Sequence, residues 1–318
     1  MKGKLSIISG RSNPSLAAQI AKAAGTELAA CDLNRYSDGE LSVEIQDNVR
    51  GNDVFVVQST SAPGNDHLME LLIIIDALRR ASAERITAVL PYFGYARQDR
   101  KTKPRVAITA KLVSDLIVTA GANRVLTMDL HAGQIMGFFN VPVDNLYARP
   151  VLLNYFKDKL FGEEVCIVSP DAGGVARARA YAKRMNSSLA IIDKRRAQAN
   201  EVAEMHVVGD VQGKACIIVD DMVDTGGTLV KASQALLDNG ATKIYACCSH
   251  AVLSGQAKKT IPEGPIEQLV VTDSIYHSDL SDDDDWIVRL SSAALIGEAI
   301  RRIHIDDSVS LLFADTDD

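Results

Sequence analysis

Short apolar runs alternate with amphipathic segments along the whole of this chain, and that rhythm constrains its fold more than any single residue does. Strand-like runs fall at residues 5–9, 54–58, 86–90, 125–128, 165–168, 189–192, 216–219, 244–248 and 269–271. Helical spacing of apolar residues fills 14–24, 66–81, 109–120, 150–160, 175–185, 229–239 and 292–303. Short continuous apolar runs suit strands buried on both faces, and the intervening helices supply the cover. The pattern predicts an α/β fold of mostly parallel sheets flanked by helices, with ligands at the carboxyl ends of the strands. At 318 residues the chain exceeds one typical domain, so two are expected.

An internal echo supports two similar domains. Gly121 leads through a strand to His131, Gly240 leads through a strand to His250, and each histidine lies ten residues after its glycine. The alternative is coincidence between two ordinary α/β units. The expected division is 1–147 and 148–304, with residues 305–318 packing back on the first domain.

Hydrophobic content of 47% and charged content of 24% are those of a globular protein that needs no staples. A net charge of −7 argues against nucleic acid as a partner. The richest apolar run, residues 71–75, is too short to span a membrane. Five cysteines, an odd number with no Cys-x-x-Cys, predict buried thiols in a reduced, cytoplasmic setting. The acid run 282–285 lacks the spaced ligands of a calcium loop and reads as solvated.

The most telling chemistry lies at 215–228. Five apolar residues run into Asp220 and Asp221, and Asp224, Thr225, Gly226, Gly227 and Thr228 then open a helix. Backbone N–H groups at a helix N-terminus bind phosphate, and glycines let the backbone close on it. Carboxylates beside such a cradle repel the phosphate and need another task. Adjacent acids can accept from a cis-diol, so the segment suggests a ribose phosphate.

Other strand ends carry further candidates. Residues 91–101 put Arg97, Arg100 and Lys101 within five positions, a density suited to polyphosphate or to a solvated loop. His131 reads as a metal ligand, a phosphate donor or a satisfied core residue. Asp171 reads as a magnesium ligand or a helix N-cap. Lys194, Arg195 and Arg196 begin a polar, weakly patterned loop that either closes over a phosphoryl group or forms a surface basic cluster. Tyr36, Asp38, Gly39 and Glu40 form a turn whose residues alone do not distinguish a base-binding loop from an ordinary one. No Walker-type phosphate loop, dinucleotide fingerprint, His-Glu-x-x-His or Gly-x-Ser-x-Gly occurs.

In order along the chain, residues 95–101, 129–132, 169–174, 193–196 and 220–228 together resemble the ribose-phosphate pyrophosphokinase family, phosphate-activated class. The resemblance runs from Tyr36 to Phe313. It implies two phosphoribosyltransferase-like domains and pyrophosphoryl transfer from ATP to ribose 5-phosphate. By position it implies ATP binding by Tyr36, Asp38, Gly39, Glu40, Arg97, Gln98, Asp99, Lys101 and His131. Ribose 5-phosphate falls to Arg196, Asp220, Asp221, Asp224, Thr225, Gly226, Gly227 and Thr228. Lys194 and Arg196 are the implied catalytic cations, and His131 and Asp171 the implied magnesium ligands. A homo-oligomer, usually a hexamer, is implied, with a neighbour's 36–40 loop completing the ATP site. Regulation by phosphate as activator and by ADP falls to Arg50, Ser82, Arg105, Ser308 and Ser310. Tyr36, Asn48 and Ala107 depart from the family's usual phenylalanine, serine and proline. A plain phosphoribosyltransferase would leave the first 140 residues idle, and a non-catalytic relative would tend to lose the loop holding Lys194 and Arg196.

Overall fold

The computed structural model describes residues 3–195, 204–281 and 283–312, without the side chains of Lys194, Arg195 and Glu204. It divides into two compact units. Unit 1 is Met1–Tyr147 with Ser274–Tyr276 and Ser291–Asp318, and unit 2 is Ala148–Asp273 with His277–Leu290.

Unit 1 begins with β1 (Leu5–Ser9), α1 (Pro14–Ala23) and a hairpin of β2 (Cys31–Arg35) and β3 (Leu41–Ile45). It continues with β4 (Asp53–Val57), α2 (Gly64–Arg80), β5 (Arg85–Leu90), α3 (Thr109–Ala120), β6 (Arg124–Met128) and β7 (Val143–Leu146). The sheet is parallel in the order β1-β4-β5-β6-β7. A lone parallel bridge sets Leu28 beside Ile7 on the far side of β1. On one face Ile8, Val54, Val56, Ile86 and Ala88 pack with Leu71, Ile74 and Leu78 of α2 and Val113 and Ile117 of α3.

Unit 2 runs α4 (Arg149–Lys159), β8 (Val165–Ser169), α5 (Val175–Met185), β9 (Ser188–Arg195), β10 (Glu204–Val208), β11 (Ala215–Val223), α6 (Gly227–Asp238) and β12 (Lys243–Ala251). A short α7 (Ala257–Thr260), β13 (Gln268–Thr272) and β14 (Ile287–Leu290) follow. The sheet order is β10-β9-β8-β11-β12-β13-β14, parallel except for β10 against β9. Cys166, Val168, Cys216, Ile218, Ala246 and Cys248 share a core with Ala232 and Leu236 of α6.

If Leu28 stands for a second strand reduced to one bridge, and the antiparallel edge strand β10 is set aside, both units read 2-1-3-4-5-6 from their own first strand. Each is then a doubly wound sheet with a switch point between strands 1 and 3. The two similar domains are real, but the echo is not their mark. Gly121 leads into the fifth strand of unit 1, and Gly240 leads into the fourth of unit 2. The shared spacing reflects two helix C-ends: Gly121 (φ 130°) and Gly240 (φ 89°) both take the conformation that favours glycine.

Helix α8 (Ala293–His304) corrects the expected extent of the second domain, because it belongs to unit 1. It crosses α1 closely enough that a Cβ on Gly297 would lie 2.6 Å from Ala23 Cβ and 3.0 Å from Ile20 O. Its C-terminus is pinned as well. His304 Nδ1 lies 2.9 Å from Asp53 Oδ2, and Arg85 bonds both Asp53 oxygens and donates to Ile303 O at 2.9 Å. The apolar stripe predicted the helix, while its partner was set by a glycine and three polar side chains distant in sequence. All five cysteines are free, and those on the strands of unit 2 are buried. Among the described residues no helix is long and apolar enough to cross a membrane.

Candidate active site

In unit 2 the backbone pairing builds the site. β11 pairs with β8 only over Ala215–Ile218, while its pairing with β12 continues to Val223. The strand therefore runs on through Asp220 and Asp221 with its β8 flank open, four residues past the predicted end at 219. Asp221 is buried and Asp220 half-buried. Arg177, on the first turn of α5, reaches across the opening, with Nη1 3.1 Å from Asp220 Oδ1 and 3.1 Å from Asp221 Oδ1. Asp220 Oδ1 also accepts the N–H of Asp221 at 2.9 Å. Burial first, and the adjacent Asp221 carboxylate second, push Asp220 up to about 7 against the pull of Arg177.

Residues Asp224 to Thr228 turn from β11 into α6. Gly226 sits at the N-cap with φ 76°, and a Cβ there would meet Ile261 Cγ1 at 2.7 Å, so both conformation and space demand glycine. A Cβ on Gly227 would meet nothing within 4 Å. No side chain caps α6, and its first turn carries no acid. Those N–H groups and the helix dipole favour an anion. A cavity of about 120 Å³ opens here, lined among others by Pro170, Asp220, Met222, Asp224, Thr225 and Thr228. Ser254 donates to Asp224 Oδ1. Across the switch point Asp171 is exposed, and its Oδ1 accepts the N–H of Gly174 at 3.0 Å; Gly174 itself is the N-cap of α5, with no side-chain cap, so Asp171 is not the helix N-cap weighed in the sequence. A larger cleft, about 560 Å³, lies at the amino ends of β8 and β9 beside Arg184, Ser188 and Lys214. Its size does not make it the better candidate, because it is at the opposite end of the strands from this chemistry.

The corresponding crevice of unit 1 is filled by its own side chains. Glu70, 2% exposed, accepts the N–H of Arg11 at 2.7 Å and Arg11 Nε at 2.5 Å. Gln58 donates to Glu70 at 2.9 Å and accepts the N–H of Ser12 at 3.0 Å. A Cβ on Gly10 would lie 2.2 Å from Gln58 Oε1.

The nucleotide candidates of unit 1 stand on neighbouring loops instead. Tyr36 to Glu40 form the tip of the β2–β3 hairpin, with Tyr36 60% exposed, Gly39 at φ 96° and the Glu40 N–H bonded to Asp38 Oδ1 at 3.1 Å. Arg35 ties that tip to Asp66 of α2 at 3.0 Å. The loop after β5 is tied to the same helix turn, because Tyr95 donates to Asn65. Thr60 Oγ1 accepts the Gly94 N–H at 2.6 Å, and Ser59 Oγ accepts the Tyr92 N–H at 3.2 Å. Arg97, Gln98, Arg100 and Lys101 are exposed on this loop, with Thr109 Oγ1 2.6 Å from Gln98 Oε1. Gln134 donates to Asp99 at 2.8 Å, which joins the loop after β6, where His131 is exposed. Hairpin tip, 91–101 loop and His131 loop are thus joined around the start of α2.

His131 belongs to unit 1 and Asp171 to unit 2. Lys194 is described only as backbone in β9, paired with Met205, and Arg196 lies outside the described residues. Arg50, Ser82, Arg105, Ser308 and Ser310 all lie in unit 1. The turn after Arg50 reaches Ser82 O through the Gly51 N–H at 2.8 Å. Arg302 donates to Ser308 O at 2.9 Å, and the Ser310 N–H bonds Ser308 Oγ at 3.2 Å. Sequence reasoning missed Arg177, Ser254, Ser59 and Thr60, whose partners in these contacts lie 30 to 44 residues away in the chain.

Comparison with known proteins bears on the whole chain. Residues 5–121 match the N-terminal domain of ribose phosphate pyrophosphokinase, and residues 195–314 match the phosphoribosyl synthetase-associated domain. A ribose-phosphate pyrophosphokinase from Caldanaerobacter subterraneus is 57% identical over 309 residues, covering 97% of this chain and 98% of its own. One from Bradyrhizobium diazoefficiens is 54% identical over 311 residues, covering 98% of each chain. The crystal structure of phosphoribosylpyrophosphate synthetase from Mycobacterium smegmatis superposes with a TM-score of 0.89 at 40% identity, covering 95% of this chain and 99% of that one.

Proposed function

Because the chain belongs to the ribose-phosphate pyrophosphokinase family, we propose that it transfers the pyrophosphoryl group of ATP to the anomeric hydroxyl of ribose 5-phosphate. The products are 5-phosphoribosyl-1-pyrophosphate and AMP. The observation that carries the sugar end is the open switch point of unit 2, where two carboxylates on one strand border an uncapped, glycine-led helix N-terminus.

The 5-phosphate takes the N–H groups of Thr225, Gly226, Gly227 and Thr228, with Asp224 at the turn. Asp220 and Asp221 take the ribose hydroxyls, directly or through magnesium. Tyr36 stacks on adenine while Asp38, Gly39 and Glu40 read it. Arg97, Gln98, Asp99, Lys101 and His131 hold the nucleotide and its phosphates.

The anomeric oxygen attacks the β-phosphorus, the bond from that phosphorus to the α-bridging oxygen breaks, AMP leaves with the electron pair, and the hydroxyl proton passes to solvent. Lys194 and Arg196 offset charge on the transferring group. Positioning and electrostatics carry such a reaction, and no side chain is assigned as general base. Magnesium, when bound, would offset the charge of the phosphate oxygens. Such an ion would take one or two carboxylates plus substrate oxygens, a demand that the exposed Asp171 suits. Among the described residues no group of three or more His, Cys, Asp or Glu could hold a metal by itself.

The same reading makes the protein a cytoplasmic homohexamer activated by inorganic phosphate through Arg50, Ser82, Arg105, Ser308 and Ser310. Exposed Leu112 and Leu116 on α3 and Met136 beside it support self-association.

The test is an assay with ATP, magnesium and ribose 5-phosphate, scored for AMP and the sugar pyrophosphate in equal amounts. Pyrophosphate release that depends on a nucleobase and not on ATP would replace this reading with a phosphoribosyltransferase. Binding of both substrates with no AMP would leave a non-catalytic relative.

A further inference from the structure

Two adjacent carboxylates on one strand present a charge problem that the ribose reading leaves unsolved. Asp220 and Asp221 are flanked by Asp224, and the ligand proposed for this site is itself a dianion. Like charges at this range repel, and partial burial strengthens the repulsion. Arg177 is a cation that meets both acids, 3.1 Å from an oxygen of each.

Its placement follows from the fold. The end of β8–β11 pairing at Ile218 opens the flank of β11 where the acids begin. The loop after β8 returns the chain at once into α5, whose third residue is Arg177. Ala178, Tyr181 and Ala182 bury the neighbouring face of α5, so the arginine stem leaves a fixed wall. The Arg177 side chain as a whole is 23% exposed. Asp220 Oδ1 is held from two sides, by Arg177 and by the N–H of Asp221 at 2.9 Å, which fixes the plane of that carboxylate.

We propose that Arg177 is a positioning residue for the sugar site: one guanidinium nitrogen aims both carboxylates at the ribose diol and offsets their charge so that a sugar phosphate can approach. This rests on the ribose reading of unit 2. A guanidinium suits the task better than an ammonium, because the N–H bonds of Nη1 lie in a fixed plane and set direction as well as charge.

The test compares wild type with Arg177→Met, which keeps the stem, and Arg177→Lys, which keeps the charge. Affinity for ribose 5-phosphate is measured by calorimetry without ATP, so the readout does not depend on turnover. KM values for both substrates and thermal stability are measured alongside. Arg177→Met is expected to weaken ribose 5-phosphate tenfold or more, with less than a threefold change in KM for ATP, and Arg177→Lys to recover part of the loss. Equal losses for both substrates would overturn the proposal. So would lowered stability with unchanged sugar affinity, the mark of a purely structural ion pair. If Arg177→Met does not fold, Arg177→Lys decides alone: sugar affinity indistinguishable from wild type would overturn the directional role assigned to Arg177. Wild type that binds ribose 5-phosphate but yields no AMP would count against the transfer reaction, not against Arg177. Wild type that binds no ribose 5-phosphate would sink both.

Discussion

At the switch point of unit 2, paired carboxylates and bare helix N–H groups border a cavity, while at the same place in unit 1 Gln58, Glu70 and Arg11 fill the space. The strand order is common to both, so topology alone does not make a ligand site. Glu70 gives the Arg11 N–H what a bound anion would give the amides of α6: a carboxylate aimed at backbone donors near a helix start. Unit 1 is complete without a ligand there, and exposed polar residues stand one and two strands further on, after β5 and β6. The difference lies in side chains of the third segment. Unit 2 offers Asp-Thr-Gly-Gly-Thr after its third strand, and unit 1 offers Gln-Ser-Thr-Ser.

Four variants would break or sharpen this contrast. The largest effect is expected from Lys194→Ala, about 10³-fold in turnover by analogy with other phosphoryl-transfer cations, with melting temperature almost unchanged. A variant as fast as wild type in a coupled AMP assay would remove Lys194 from the chemistry.

Glu70→Gln should act on unit 1 alone. An amide at that position sets an NH₂ against Gln58 Nε2 or against Arg11, whose side chain is 40% exposed, and losing a charged contact of this kind costs about 2 kcal/mol. Denaturant titration should show the loss while KM for ribose 5-phosphate stays put. A change in sugar affinity would mean the two switch points do not act independently.

Gly226→Ala forces a Cβ into Ile261 at positive φ and should cost about 2 kcal/mol of stability. It should also weaken the sugar more than ATP, and equal weakening would detach that turn from the phosphate.

Asp220→Asn should have the smallest effect and reveal the sign of the burial cost. Native Asp220 keeps a proton up to about pH 7, and the unfolded chain gives it up near pH 4. Its contribution is therefore present at low pH and lost as pH rises between those values. Without substrates or metal, the variant should melt a few degrees above wild type at pH 8, with the gap closing by pH 5. A gap that grows toward low pH would reverse the assignment.

The main sheets were legible because their strands are continuous apolar runs. Residues 53–57 and 215–219 are buried at every position, so the run itself is the signal. The β2–β3 hairpin escaped because it alternates half-buried Cys31 and Leu33 with exposed Asp32 and Asn34, a pattern of period two with no apolar run. The four-residue β7, the edge strand β10 and β14 were too short or too polar to separate from loops. At the site, the glycines and acids of 220–228 announced themselves because backbone geometry and charge are local properties. Arg177 did not, since on α5 it is one basic residue among Arg179, Lys183 and Arg184. Only the register between β8 and β11 singles it out.

The crossing of α1 by α8 also bears on how the protein is made. Once residue 290 has left the ribosome, the second unit has all its strands and helices, whereas the first still lacks the helix that Gly297 seats against Ile20 and Ala23. The amino-terminal half, although synthesised first, must wait with that surface of α1 bare until the last helix arrives. Vectorial synthesis usually lets the earlier domain finish first, and here the order of completion is reversed.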